Sequence, residues 1–176
     1  MTSPSPEPAV RIALQPSTGR GPIDGAWWPR SRDLVTELPT LVGVLDPLWG
    51  RITRVAVNPL LWPLLPSEVR ARDRALKIGW LTPGLDPYNL LLLSQGTRRY
   101  DLLVISPGSG EATAGRLMAA ACTPDGPYRT ASALIATETT RHHDDTAGDR
   151  SQSAAKSWEH ESRATPARPA ALSAGR

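Results

Sequence analysis

Gly25-Ala26-Trp27-Trp28-Pro29-Arg30-Ser31-Arg32-Asp33-Leu34 decides how the chain is read, because it carries an extended segment into a helix. Pro29 pushes Trp28 out of the helical region, since its ring crowds the preceding residue's amide and Cβ. Beyond it, Leu34, Val35, Leu38, Leu41, Val42 and Leu45 recur at the spacing of one helix face. Ser31 or Asp33 is placed to cap that helix, and Asp33 and Glu37 suit the positive end of its dipole. Pro39 lies inside the pattern. Without an amide it should kink or restart the helix, and Asp46-Pro47 should end it. The spacing predicts a helix over 33–46.

Upstream, Val10 to Leu14 alternates apolar and polar, the signature of a half-buried strand. Gly25 to Trp28 is expected to resume extended structure. Downstream, the β-branched run Ile52 to Val57 reads as a strand, and Asn58 to Asp73 as a long proline-containing loop. Arg74 to Leu81 alternates again. Asn89 to Ser94 and Tyr100 to Ser106 are near-continuous apolar runs joined by a short turn, the pattern of a hairpin central in a sheet. An alanine-rich helix over about 110–122 follows, with Ser109 as its expected cap, and a short helix is expected over Thr130 to Thr137. From Glu138 onward there are six basic and six acidic residues and little apolar content. Such a segment cannot bury enough surface to offset its ordering entropy, so 138–176 is expected to be a disordered tail, as is 1–8. The resulting expectation is an α+β fold in a single domain, 9–137: a twisted, mainly antiparallel sheet of five or six strands with two helices packed on one face.

Composition narrows the function classes. The formal net charge of +3 is modest, and the positive charge is almost all arginine, Lys77 and Lys156 being the only lysines. Arginine, alanine, glycine and proline enrichment has a bland genomic origin that competes with nucleic-acid binding as its cause; a footprint needs clustering on one face. The single cysteine, Cys122, excludes an internal disulfide and any multi-cysteine metal site. The N-terminus lacks the basic and apolar regions of a signal peptide, and no apolar run approaches the roughly 20 residues of a membrane span. A cytoplasmic location without membrane association is the expectation.

The stretch that opens the helix has two readings. Paired Trp27 and Trp28 beside Arg30 and Arg32 are suited to stacking a base, a sugar or an aromatic ligand, with the guanidinium groups taking an acidic group. Alternatively the rings plug the core at the strand-to-helix junction, with the arginines tied to Asp24, Asp33 or a loop carbonyl. The candidate binding set is therefore Asp24, Trp27, Trp28, Arg30, Arg32 and Asp33. Elsewhere the chemistry is sparse. Ser106-Pro-Gly-Ser-Gly-Glu111 has the strand-to-helix context of a phosphate loop but neither a P-loop ending nor dinucleotide-loop spacing, and Glu111 would repel phosphate. His142, His143 and His160 all fall in the expected tail, which leaves Cys122 without a folded base. Asp24, Asp46 and Asp86 sit in turn contexts, and Asp101 follows two arginines. No motif requires a cofactor or a metal.

Several segments together resemble a family of short actinobacterial proteins of unknown function. They are the stretch 25–34, Glu37-Leu38-Pro39, Trp49-Gly50-Arg51-Ile52, Ile78-Gly79-Trp80 with Asp86-Pro87, Tyr100-Asp101-Leu102-Leu103-Val104 and Leu117-Met118-Ala119-Ala120-Ala121. The resemblance spans roughly 10–137 and implies an aromatic at position 100, usually tryptophan, where this chain has Tyr100. It carries no activity and no functional residues. The sequence therefore points first to a non-catalytic module binding a protein or small ligand through 24–33. Single-stranded nucleic-acid binding through arginine and exposed tryptophan is the alternative, and an enzyme acting through aspartates the third reading.

Overall fold

The structure, a computed structural model, describes residues 9–16, 21–123 and 130–162. Seven strands form one mixed sheet: β1 (Ile12–Leu14), β2 (Gly25–Trp27), β3 (Ile52–Val57), β4 (Glu68–Ala71), β5 (Arg74–Trp80), β6 (Asn89–Ser94) and β7 (Arg99–Val104). Three helices accompany them among the described residues: α1 (Leu34–Trp49), α2 (Glu111–Ala121) and α3 (Ala131–Ser162). The strand order is β1-β2-β7-β6-β3-β5-β4. Two neighbouring pairs are parallel, β2 with β7 and β3 with β5; the other neighbours are antiparallel. The α+β class and the antiparallel majority agree with the sequence, while the strand count is one or two higher and the short helix expected over Thr130 to Thr137 is the start of a longer one.

The additional strand is β4, read from sequence as loop. Val69 and Ala71 point into the core while Glu68 and Arg70 face out, so four residues alternate beside β5. Its shortness and the preceding Pro66 hide it from periodicity.

The helices lie on both faces of the sheet rather than on one. On the first face α1 buries Leu34, Leu38, Leu41, Val42 and Leu45 against Val55, Val57, Leu90, Leu92, Leu102 and Val104. On the second, α2 and the start of α3 bring Ala114, Leu117, Ala121, Ala131 and Leu134 onto Ile23, Ala26, Leu103 and Ile105. Alternation along β2 and β7 feeds both cores, so the near-continuous apolar run of β7 is the expected consequence of burial on two sides, while β6 buries Leu90 and Leu92 on the first face only.

α1 runs unbroken through Pro39 and Pro47 to Trp49. Each proline removes one backbone bond, and tertiary contacts hold the last turn. Trp49 stacks on Tyr100 at 4.1 Å between ring centroids, and the Tyr100 hydroxyl donates to the Trp49 carbonyl. Asp46 on the same turn accepts from Arg74 at 2.6 Å and from the Ile52 amide at 2.9 Å. Arg74 also donates to the Ile52 carbonyl at 2.8 Å, so one ion pair ties α1, β3 and β5 together.

The chain divides after Glu138 into two compact units. Within the first, Asp86 accepts from the Ser132 amide and hydroxyl, both at 2.7 Å, which fixes the start of α3. Glu138 is buried and ion-paired with Arg116. In the second unit α3 continues as helix to Ser162, where the sequence led to an expectation of disorder. The packing argument still describes its surface, since the side chains described from 139 onward are almost all exposed. The expected disorder of 1–8, and of the tail beyond 162, lies outside the described residues. No described helix is long and apolar enough to cross a membrane.

Candidate functional site

The stretch 24–33 is built into the fold at almost every position. Successive side chains of a strand point to opposite faces, so the adjacent tryptophans separate. Trp27 faces α1, is 1 % exposed and stacks on Trp62 with centroids 5.7 Å apart and planes at 19°. It is a core residue and offers nothing to a surface ligand. Trp28 faces the other way, half-buried, with its indole Nε1 donating to the Ser106 carbonyl at 3.2 Å. The Arg11 guanidinium lies 3.5 Å from the centre of its ring. Arg11 also donates to the carbonyls of Trp28 and Pro29. The ring face that a base could stack on is thus already covered by a cation from the same chain.

The remaining members follow the same logic. Arg30 donates to the Ala9 carbonyl at 3.1 Å, and Arg32 is exposed. Asp33 is the N-cap of α1: it accepts from the Val35 amide at 3.0 Å and the Thr36 hydroxyl at 2.7 Å. The hydroxyl bond, more than any other contact, holds its carboxyl below the usual range. Ser31, the other expected cap, bonds Glu37 and the Asp33 amide instead. Ser109 does not cap α2, whose N-cap is Gly110 without a side-chain bond.

Asp24 belongs to a polar cluster that the sequence does not reveal. Its carboxylate accepts from the Asp101 amide at 2.8 Å, and its own amide donates to the Asp101 carbonyl at 2.6 Å. This extends the parallel pairing of β2 and β7. Arg99 grips Asp101 with two bonds of 2.9 Å, and the Asn89 amide group donates to Asp101 at 3.2 Å. The Asn89 carbonyl oxygen is buried without a partner. Burial, above all, pushes the Asp24 carboxyl up, and the charge of Asp101 adds to it. With Asp33 capping α1, Asp46 clamped by Arg74 and Asp86 fixing α3, each of the aspartates named from sequence has a structural partner. Cys122 is half-buried, and burial raises its thiol.

The surface feature that periodicity missed is apolar. Leu60 is 86 %, Leu64 74 % and Trp80 73 % exposed. Trp80 is paired with Val57 at the end of the parallel β3–β5 ladder, and the Leu81 amide continues it to the Val57 carbonyl. The segment 58–66 leaves β3 at that point and crosses to β4 beside β5. Trp80 thus stands at the end of β5 on the α1 face, and Leu60 and Leu64 flank Trp62 on the segment that leaves β3 at that end. Trp62, midway along the segment and 2 % exposed, anchors it into the core against Trp27. The signal lay in the apolar run Leu60-Leu61-Trp62-Pro63-Leu64-Leu65, longer than a single buried tryptophan needs.

Fold and surface together define a small mixed-sheet α+β protein whose conspicuous surface is apolar. Residues 11–121, more than half of the chain and spanning β1 to the end of α2, match the model of a family of unknown function, DUF5994. The chain belongs to that family. No curated protein and no solved structure matches it.

Proposed function

We propose that this protein is a non-catalytic module that binds another protein through the apolar corner formed by Leu60, Leu64 and Trp80. The observation that carries this reading is the exposure of all three large side chains, Trp80 at the end of the β3–β5 ladder and Leu60 and Leu64 on the segment that leaves β3 at that end. Scattered single apolar residues are ordinary on a protein surface, whereas a contiguous patch marks an interaction site. Trp80 on a strand, and Leu60 and Leu64 on a segment pinned by Trp62, present that area with little ordering left to lose on binding. The stretch 24–33 serves this function from behind, by supplying Trp27 as the platform for Trp62. The single-strand alternative is weaker on geometry: exposed Trp80 stands on the α1 face, while the cations Arg54 and Lys77 stand on the other, so stacking and charge are split.

The test is quantitative affinity capture with the full chain and with a Leu60→Ser, Leu64→Ser, Trp80→Ala variant. Circular dichroism first confirms that both are folded. Loss of the captured proteins in the variant is the expected result, with sedimentation showing whether the partner is a second copy. An identical capture profile for the two chains removes the corner as the binding surface.

A further inference from the structure

Among the described residues of the first unit, the helices cover only half of the second sheet face. α2 and the start of α3 pack over β1, β2 and β7, whereas β6, β3 and β5 present Leu91 and Leu93, Arg54 and Ala56, Lys77 and Gly79 in register beside them. Arg54, Lys77 and Gly79 are exposed and the others half-exposed. A Cβ built on Gly79 meets nothing within 4 Å. Apart from Arg54 and Lys77 the floor carries no charge. From β6 to β5 it spans two strand spacings, about 10 Å, the diameter of one α-helix.

The charges on this floor say what fits it. Arg54 and Lys77 are directly opposite one another on neighbouring strands, an arrangement that costs stability between like charges. Among the described residues neither has an ion-pair partner. On β4 Glu68 stands directly opposite Lys77 and offsets part of its charge, whereas exposed Arg70 adds to the positive side and Arg54 has no carboxylate opposite it in the sheet. A carboxylate laid between Arg54 and Lys77 relieves that repulsion. The floor carries no aromatic side chain, so a nucleic-acid strand would find charge there but nothing on which to stack its bases.

We propose that this open half-face is the docking surface for one acidic amphipathic helix of a partner protein, seated with its apolar side on Leu91, Leu93, Ala56 and Gly79 and its acidic side on Arg54 and Lys77. It lies on the opposite face from the Leu60–Leu64–Trp80 corner and does not depend on it.

Fluorescence anisotropy on the full chain tests this with three labelled probes: a helical Leu/Ala peptide flanked by glutamates, the same peptide with lysines for glutamates, and a single-stranded oligonucleotide. The expected result is preference for the acidic peptide. It should weaken at least about tenfold, the equivalent of 1.4 kcal/mol, in an Arg54→Glu, Lys77→Glu variant, while the basic peptide gains. Gly79→Leu, whose Cβ would meet nothing within 4 Å, should also weaken binding. The Leu60→Ser, Leu64→Ser, Trp80→Ala variant should bind the acidic peptide as the parent does, which separates this surface from the corner. Equal binding of the two peptides, binding unchanged by the charge reversal, or preference for the oligonucleotide overturns the proposal.

Discussion

Truncating Trp62 to alanine tests the link between the buried stretch 24–33 and the exposed corner. The ring is 2 % exposed and stacked on Trp27. A buried indole removes on the order of 200 Å² from water, which at about 25 cal/mol per Å² is roughly 5 kcal/mol. Tryptophan truncations in cores cost about 3–5 kcal/mol. Of that, about 0.5–1.5 kcal/mol belongs to the ring pair itself. A domain has only about 5–15 kcal/mol in hand, so Trp62→Ala should lower the denaturant midpoint strongly at unchanged slope. Far-UV circular dichroism is the readout, because tryptophan fluorescence changes with the substitution. Trp62→Phe keeps a ring over Trp27 and should cost less than half as much. A cycle with Trp27→Leu isolates the stack. A loss below about 1 kcal/mol for Trp62→Ala, within the range of an ordinary substitution, or a coupling indistinguishable from zero, refutes the anchoring argument.

Gly25→Ala should destabilise by about 1–3 kcal/mol, because the new Cβ would meet the Leu14 Cα at 2.9 Å and press on the Ala13 carbonyl. Hydrogen exchange should then show the Gln15 and Trp28 amides, which close the β1–β2 pair, losing protection first; unchanged protection counts against a tight hairpin. Asp24→Asn keeps an oxygen to accept from Asp101 but cannot ionise. Burial holds the Asp24 carboxyl above its ordinary value, so the native state binds that proton more tightly than the unfolded chain. Its contribution is present below the unfolded value and lost as pH rises through the folded one. The variant should therefore gain on the parent between acidic and neutral pH, and urea midpoints that differ by a pH-independent amount would contradict this. Arg74→Met leaves Asp46 without its counter-ion at a half-buried site and should cost about 3–5 kcal/mol. A loss under about 1 kcal/mol in thermal unfolding would mean that the clamp is effectively solvated.

The helices and strands with a strong period were legible in the sequence. The face of α1 and the limits of β3 and β6 follow directly from spacing. What was not legible depends on contacts across the chain. Local chemistry said that Pro39 and Asp46-Pro47 should interrupt α1; the Trp49–Tyr100 stack and the Arg74 clamp hold the last turn beyond Pro47, and the burial of Leu38, Leu41 and Val42 holds the helix around Pro39. β4 is too short to show a period. Helices on both faces follow from strand pairing, which no local pattern encodes. For the site, alternation along β2 does separate Trp27 from Trp28, but which one meets a core is decided by Trp62, 35 positions further on. The Asp24–Asp101 link and the open face beside Arg54 exist only once β2, β7 and β3 are assembled.

The sheet order has a consequence for how the chain is completed. From β3 to β7 each strand lies beside one close to it in sequence, whereas β2 has its inner partner in β7, where Gly25 aligns with Leu102. Loop-closure entropy makes such a distant contact slow to form. The N-terminal hairpin therefore waits for the last strand to be in place. Until then the flank of β2 that faces β7 is unpaired, and β1 covers only the other. The order of assembly thus runs against the order of synthesis, and the first elements made are the last to be secured.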